Sequence, residues 1–104
     1  MPHTLTLPDE LTADTVIAAQ QLLAQAIAAA PAKAAIVLDA AQVRSFDSAC
    51  LAMLLECRRL AQSTHKTLAV SVWTPSLQSL AKMYGVLHLL DPTAVETDVV
   101  LELP

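Results

Sequence analysis

Glycine is almost missing from this sequence, because Gly85 is the only one in 104 residues. Loops that bind nucleotide phosphates need several glycines, since the backbone has to approach the phosphate oxygens closely. The sequence therefore contains neither a P-loop nor a dinucleotide-binding motif. We expect the chain alone to neither hydrolyse nor tightly bind nucleotide, and we predict no cofactor.

Charge is also scarce. Charged residues make up 15% of the chain and apolar residues 55%, a composition that excludes intrinsic disorder as the main description. The net charge is −4, and Arg58 and Arg59 form the only basic cluster, which argues against nucleic-acid binding through a basic face. A chain of this length is expected to fold as a single domain over 1–104 with a substantial core.

Signals for export, membrane insertion and metal binding are absent as well. The first 32 residues contain no Lys or Arg, and no apolar run reaches 18 residues, so we expect a cytoplasmic protein without a membrane span. Cys50 and Cys57 would lie about 10 Å apart along a helix, too far for a disulfide. We interpret both as buried apolar side chains. The histidines do not have metal-ligand spacing, and no metal site is predicted: His3, His65 and His88.

The residues that are present alternate between strand and helix patterns. Short apolar runs predict strands at 3–7, 34–40, 67–73 and 86–90, with a further strand at 98–103 that would fill an edge of the sheet. Apolar residues at helical spacing predict helices at 13–30, 48–62 and 75–84. This alternation predicts an α/β fold with a mainly parallel sheet of four or five strands and three or four helices.

Two helix starts have distinct signals. Thr74 is expected to cap the helix at 75–84, with Pro75 in its first turn, and Gly85 is expected to end it in the left-handed conformation. The helix at 48–62 is preceded by several small polar residues in "VRSFDSACLAMLLE". Ser48 could serve only as a helix cap, or it could be the centre of a surface that another molecule contacts.

A helical wheel of 48–62 separates two faces at about 100° per residue. The predicted core face consists of Ala49, Cys50, Met53, Leu54, Cys57, Leu60 and Ala61. Leu51 and Leu55 fall on the other side, on either side of Ser48. Two leucines one turn apart on a solvent face predict a small contact patch. The alternative is that both leucines pack under a neighbouring helix of the same domain.

The stretch "IVLDAAQVRSFDSACLAMLLECRRLA" resembles the centre of STAS domains, where a strand leads through a short loop to an Asp-Ser/Thr-Ser/Ala-Gly motif and a helix. Asp47, Ser48 and Ala49 match this motif, whereas Cys50 stands where the family has glycine. The stretch "LAKMYGVLHLL" is closer to MlaB-like STAS domains than to the sigma-factor regulators. The resemblance covers about residues 4–90.

This resemblance implies a protein that is not an enzyme. MlaB-like domains are cytoplasmic subunits of ABC complexes that move phospholipids between membranes. The implied partner is therefore the ATPase of such a complex, and the implied location is peripheral to the inner membrane through that partner. The expected partner-binding residues are Ser48, Leu51, Ala52, Leu55 and Arg59.

Two alternatives remain. The STAS resemblance is also compatible with an anti-sigma-factor antagonist that a kinase switches by phosphorylation at Ser48. A small enzyme or ligand carrier would need a nucleophile with a base, or a metal constellation. The sequence shows neither.

Overall fold

The chain alternates strands and helices as its apolar pattern predicts. The computed structural model describes residues 3–91. In chain order its elements are β1 (His3–Thr6), β2 (Glu10–Leu11), α1 (Val16–Ala29), β3 (Ala35–Asp39), β4 (Ser45–Phe46), α2 (Ser48–Ser63), β5 (Thr67–Ser71), α3 (Pro75–Met83) and α4 (Leu87–Leu90). The predicted α/β class is confirmed, and so are the three long helices, to within a few residues at their ends.

The five strands form two parallel sheets. The central sheet has the order β1-β3-β5, and the second consists of β2 and β4 alone. Helices α1 and α2 provide the crossovers between the strands of the central sheet, as parallel pairing requires. The prediction placed four or five strands in one sheet. It did not include β2 and β4, because two-residue strands are too short to show a hydrophobic period.

The two faces of the central sheet differ in burial. Neighbouring residues in register point to the same face, and Leu38 lies level with Leu5 and Val70 on the face that carries the core. On the other face, Val37 lies between Thr4 and Ala69 and is only half-buried. The hydrophobic core therefore lies on one side of the sheet, where α2 contacts α1, β5 and α4.

The third helix begins and ends as its sequence predicts. The Thr74 side chain accepts a hydrogen bond from the backbone of the first turn, and Pro75 is the first helical residue. At the other end Gly85 has a φ of 74°, a conformation that costs glycine nothing. Its N–H donates to the Lys82 carbonyl at 3.0 Å, which satisfies one of the carbonyl groups left open at the helix end.

The predicted strand at 86–90 is wrong, because Leu87–Leu90 form the short helix α4. The Val86 N–H donates back to the Ala81 carbonyl at 3.0 Å and turns the chain sharply after Gly85. Leu87 and Leu90, one turn apart, are both buried. A run of five apolar residues does not by itself distinguish a strand from a buried helical turn. The predicted strand at 98–103 lies outside the described residues.

A buried lysine joins α1 to the segment between α2 and β5. Lys66 is 6% exposed, and its Nζ donates to the carbonyl oxygens of Ile27 at 2.6 Å and Ala28 at 3.3 Å. These carbonyls belong to the last turn of α1, where backbone acceptors lack helical partners and the helix dipole favours a cation. The ammonium group therefore acts as a C-terminal cap supplied from 39 residues further along the chain.

Candidate functional site

The start of α2 is capped by Asp47 and not by Ser48. The Asp47 backbone is extended, with φ −140° and ψ −168°, and its Oδ1 accepts a hydrogen bond from the Ala49 N–H at 2.9 Å. Its Oδ2 accepts a second hydrogen bond from the Ala13 N–H at 3.1 Å. A single carboxylate thus caps α2 and also holds the turn that leads into α1.

Ser48 is the first residue of α2 and is exposed to solvent. Asp47 already provides the side-chain cap, so the interpretation of Ser48 as a capping residue only is wrong. Within residues 3–91, no hydrogen bond involves the Ser48 hydroxyl. This hydroxyl is available to a partner or to a modifying enzyme at the start of a helix, where the dipole favours negative charge.

The prediction that Leu51 faces solvent is wrong. Leu51 is 3% exposed and belongs to the same core cluster as Leu87 and Leu90 of α4. The wheel assumed a single core face, but α2 is contacted by α1, β5 and α4. Because α4 was predicted as a strand, the prediction lacked this additional helix. The alternative, in which the leucines pack within the domain, is confirmed for Leu51, while Leu55 is half-buried against the core.

The exposed face of α2 is therefore narrower than predicted. It runs along Ser48, Ala52, Glu56 and Arg59, with Leu55 at its border. The Arg59 guanidinium donates two hydrogen bonds to the Glu56 carboxylate, from Nε to Oε1 at 2.9 Å and from the terminal nitrogen to Oε2 at 2.9 Å. These hydrogen bonds lower the pKa of Glu56 and raise that of Arg59. Arg59 therefore presents a charge that Glu56 largely balances.

Glu56 was not among the predicted site residues, although its spacing of three from Arg59 is the usual sign of an ion pair on a helix. A shallow groove runs between this part of α2 and α1. Its volume is about 200 Å³, and its lining residues are Gln20, Ala24, Glu56, Cys57, Arg59 and Leu60. The exposed face of α2 thus continues into α1, which contains no charged residue.

The two cysteines do not supply a reactive group. Cys50 and Cys57 are both buried and unpaired with each other. Burial, and to a smaller extent the charge of Asp47, raises the pKa of Cys50 to about 12. Burial and the charge of Glu56 raise that of Cys57 to about 11. Both thiols stay protonated at neutral pH, where only the thiolate is a strong nucleophile.

Other chemistry was also sought among residues 3–91. Nowhere in that range do three His, Cys, Asp or Glu side chains come together in a way that could hold a metal ion. In the same range, no helix has the length and hydrophobicity needed to cross a bilayer. The most distinctive surface feature is therefore the start of α2, with its exposed hydroxyl beside a capping carboxylate.

A small α/β domain with such a helix start, and with a parallel sheet behind it, has the layout of a binding domain. A family model described as "Mlab, STAS domain" matches residues 2–91. The chain therefore belongs to the STAS domain family, in its MlaB-like branch, and the STAS resemblance of its central stretch is confirmed. Members of this family are in general not enzymes. The comparison with curated proteins gave no match.

Proposed function

We propose that this chain is a non-catalytic STAS subunit that binds and regulates the ATPase of a phospholipid-transport ABC complex. It would act in the cytoplasm and reach the inner membrane through that ATPase. The match to the MlaB-like family supports the class of partner. The observation that supports the site is the exposed Ser48 hydroxyl, which α2 does not use for its own cap.

The proposed contact surface is the exposed face of α2. Ser48 provides a hydroxyl that can donate or accept a hydrogen bond. Ala52, one turn further, is small and exposed, so a partner backbone can approach closely. Leu55 adds an apolar border, and Arg59 provides a polar rim, the arrangement typical of protein interfaces. Leu51 supports this face from the core and does not contact the partner.

Co-purification with the ATPase tests the surface. Ala52→Asp places a charge in the centre of the proposed contact without disturbing the core, because Ala52 is exposed. It should abolish co-purification while leaving the melting temperature nearly unchanged. The matched control is Gln78→Asp on α3, which is equally exposed and should bind normally. Loss of binding in Gln78→Asp but not in Ala52→Asp would move the interface to α3 and refute this proposal.

Substitutions at Ser48 test the hydroxyl itself. Ser48→Asp should weaken the complex more than Ser48→Ala, because it brings a second carboxylate beside Asp47 into a largely uncharged contact. The aspartate should not unfold the chain, since a carboxylate in the first turn is favoured by the helix dipole. Equal binding by all three forms would show that the partner does not contact Ser48.

The exposed Ser48 hydroxyl also supports a second candidate function, that of an anti-sigma-factor antagonist switched by phosphorylation. A phosphoryl group on Ser48 would add charge at this exposed position. Intact-mass analysis of the chain purified from its native cells distinguishes the two. A phosphoryl group lost in Ser48→Ala, together with co-purification of a kinase in place of an ATPase, would favour the second candidate.

A further inference from the structure

The central sheet has an open edge at β1. Within the described part of the chain, β1 pairs only with β3. The Leu7 N–H donates to the Asp39 carbonyl at 2.9 Å, and alternate residues of a strand face alternate sides. Leu5 therefore also faces β3, whereas the backbone groups of Thr4 and Thr6 point away from the sheet. An unpaired strand edge of this kind can accept another strand.

An apolar ledge lies beside this edge, on the helix side of the sheet. A depression of about 260 Å³ opens there, between the end of β1 and α1, and Thr6, Leu7 and Leu22 are among its lining residues. Leu22 is 69% exposed, although it lies next to the buried Leu23. A strand placed along β1 with apolar side chains on its helix side would cover both the ledge and Leu22.

The C-terminal sequence has the pattern that such a strand requires. In "VETDVVLEL", residues 95–103, apolar residues or threonine occupy every odd position, and the even positions hold Glu96, Asp98, Val100 and Glu102. Strict alternation of this kind predicts a strand with one buried face. Thirteen residues follow Asp91, which is more than a single edge strand needs.

The connection is long enough to reach β1. Asp91 lies at the carboxyl end of β5, where its Oδ2 accepts a hydrogen bond from Trp73 Nε1 at 3.1 Å. The outer side of β1 is three strand spacings from β5, about 14 Å. Residues 92–97 can span about 20 Å when extended. The segment would arrive at the carboxyl end of β1 and would therefore run antiparallel to it.

We propose that residues 98–103 form a fourth strand of the central sheet, antiparallel to β1, covering its open edge and the ledge at Leu22. The register that pairs Leu101 with Leu5 also pairs Val99 with Leu7, and it places all four apolar side chains on the helix side. Glu102 then lies beside Thr4 on the open face. This arrangement is independent of the function proposed above.

Amide hydrogen exchange of the full chain tests the pairing. The Thr4 and Thr6 amides should exchange about tenfold or more slowly than they do in Leu101→Asp, which puts a charge on the apolar face. Val100→Asp is the matched control, because the same substitution one residue earlier falls on the open face and should keep the protection. Fast exchange of both amides in the unsubstituted chain, or equal exchange in both variants, would overturn the proposal.

Two further outcomes identify other occupants of the edge. Protection that disappears on dilution would mean that a second copy of the chain pairs with β1. Cross-linking distinguishes the two edges of the sheet: a short bismaleimide should join the pair Thr4→Cys/Glu102→Cys but not Thr67→Cys/Glu102→Cys, because Thr67 is exposed on β5. Preferential linking to position 67 would place the segment on β5 and contradict the proposal. The buried native thiols should not react.

Discussion

Helices α2 and α3 follow the same construction but make different choices at their ends. Each begins with a side chain that caps the first turn, Asp47 in α2 and Thr74 in α3. Their first helical residues differ, because α3 has Pro75 and α2 has the exposed Ser48. Proline at this position fixes the backbone in a helical conformation, whereas serine provides no such benefit.

The same contrast appears at the C-terminal ends. The residue after each C-cap is left-handed, with φ 74° at Gly85 after α3 and φ 61° at His65 after α2. In both helices this residue and the next donate hydrogen bonds back to the last turn. A side chain in this conformation is unfavourable. Helix α3 thus has the more stabilising residue at both of these positions, while α2 has residues whose presence helix stability does not explain. At Ser48 we attribute this to function; the structure gives no reason for His65.

The largest effect is expected where α2 is buried and α3 has no counterpart. Leu51→Ala should lower the free energy of unfolding by about 2–5 kcal/mol, because it leaves a cavity in the core. Leu55→Ala should cost about 1 kcal/mol, since Leu55 is only half-buried. Chemical denaturation of both variants measures this difference. Equal, small effects would mean that Leu51 lies on the outer face after all.

The N-terminal caps should differ by a smaller amount. Thr74→Ala removes one capping hydrogen bond and should cost about 1 kcal/mol. Asp47→Ala removes a cap and also the hydrogen bond from the Ala13 N–H, so its cost should be about 2 kcal/mol. Thermal or urea unfolding compares them. A cost for Asp47→Ala no larger than that for Thr74→Ala would show that the link to the start of α1 contributes nothing.

The C-terminal positions should respond in opposite directions. His65→Gly should stabilise the domain by about 1 kcal/mol, because glycine accepts a positive φ without strain. Gly85→Ala should destabilise it by a similar amount. No other atom lies within 4 Å of a Cβ built at Gly85, so this cost would arise from the backbone alone. If His65→Gly were destabilising, the imidazole would have a structural role that its contacts do not show.

The smallest stability effect is expected at Ser48. Ser48→Ala should change the free energy of unfolding by less than about 0.5 kcal/mol, as for other exposed positions without structural contacts. Binding to the partner should nevertheless fall. Measured together, the two quantities separate a residue kept for function from one kept for stability. A stability loss as large as that of Asp47→Ala would assign Ser48 a structural role.

The site was predicted from the sequence only in part. Ser48, Ala52 and Arg59 are exposed on α2 as expected, because a wheel fixes which residues share a face. Leu51 was placed wrongly, because its burial depends on how many neighbours surround the helix. Glu56 was missed, although the spacing to Arg59 was visible. Whether these residues bind an ATPase stays a prediction.

The sequence by itself determined the order of strands and helices, the residues on each face of α2, and the ends of α3. These follow from local periodicity and from the backbone preferences of Pro75 and Gly85. Tertiary structure alone decided that Leu87–Leu90 form a helix, that Leu51 is buried, and that Asp47 binds Ala13 across 34 residues. Each of these depends on contacts between segments distant in the chain, and no local pattern encodes such contacts.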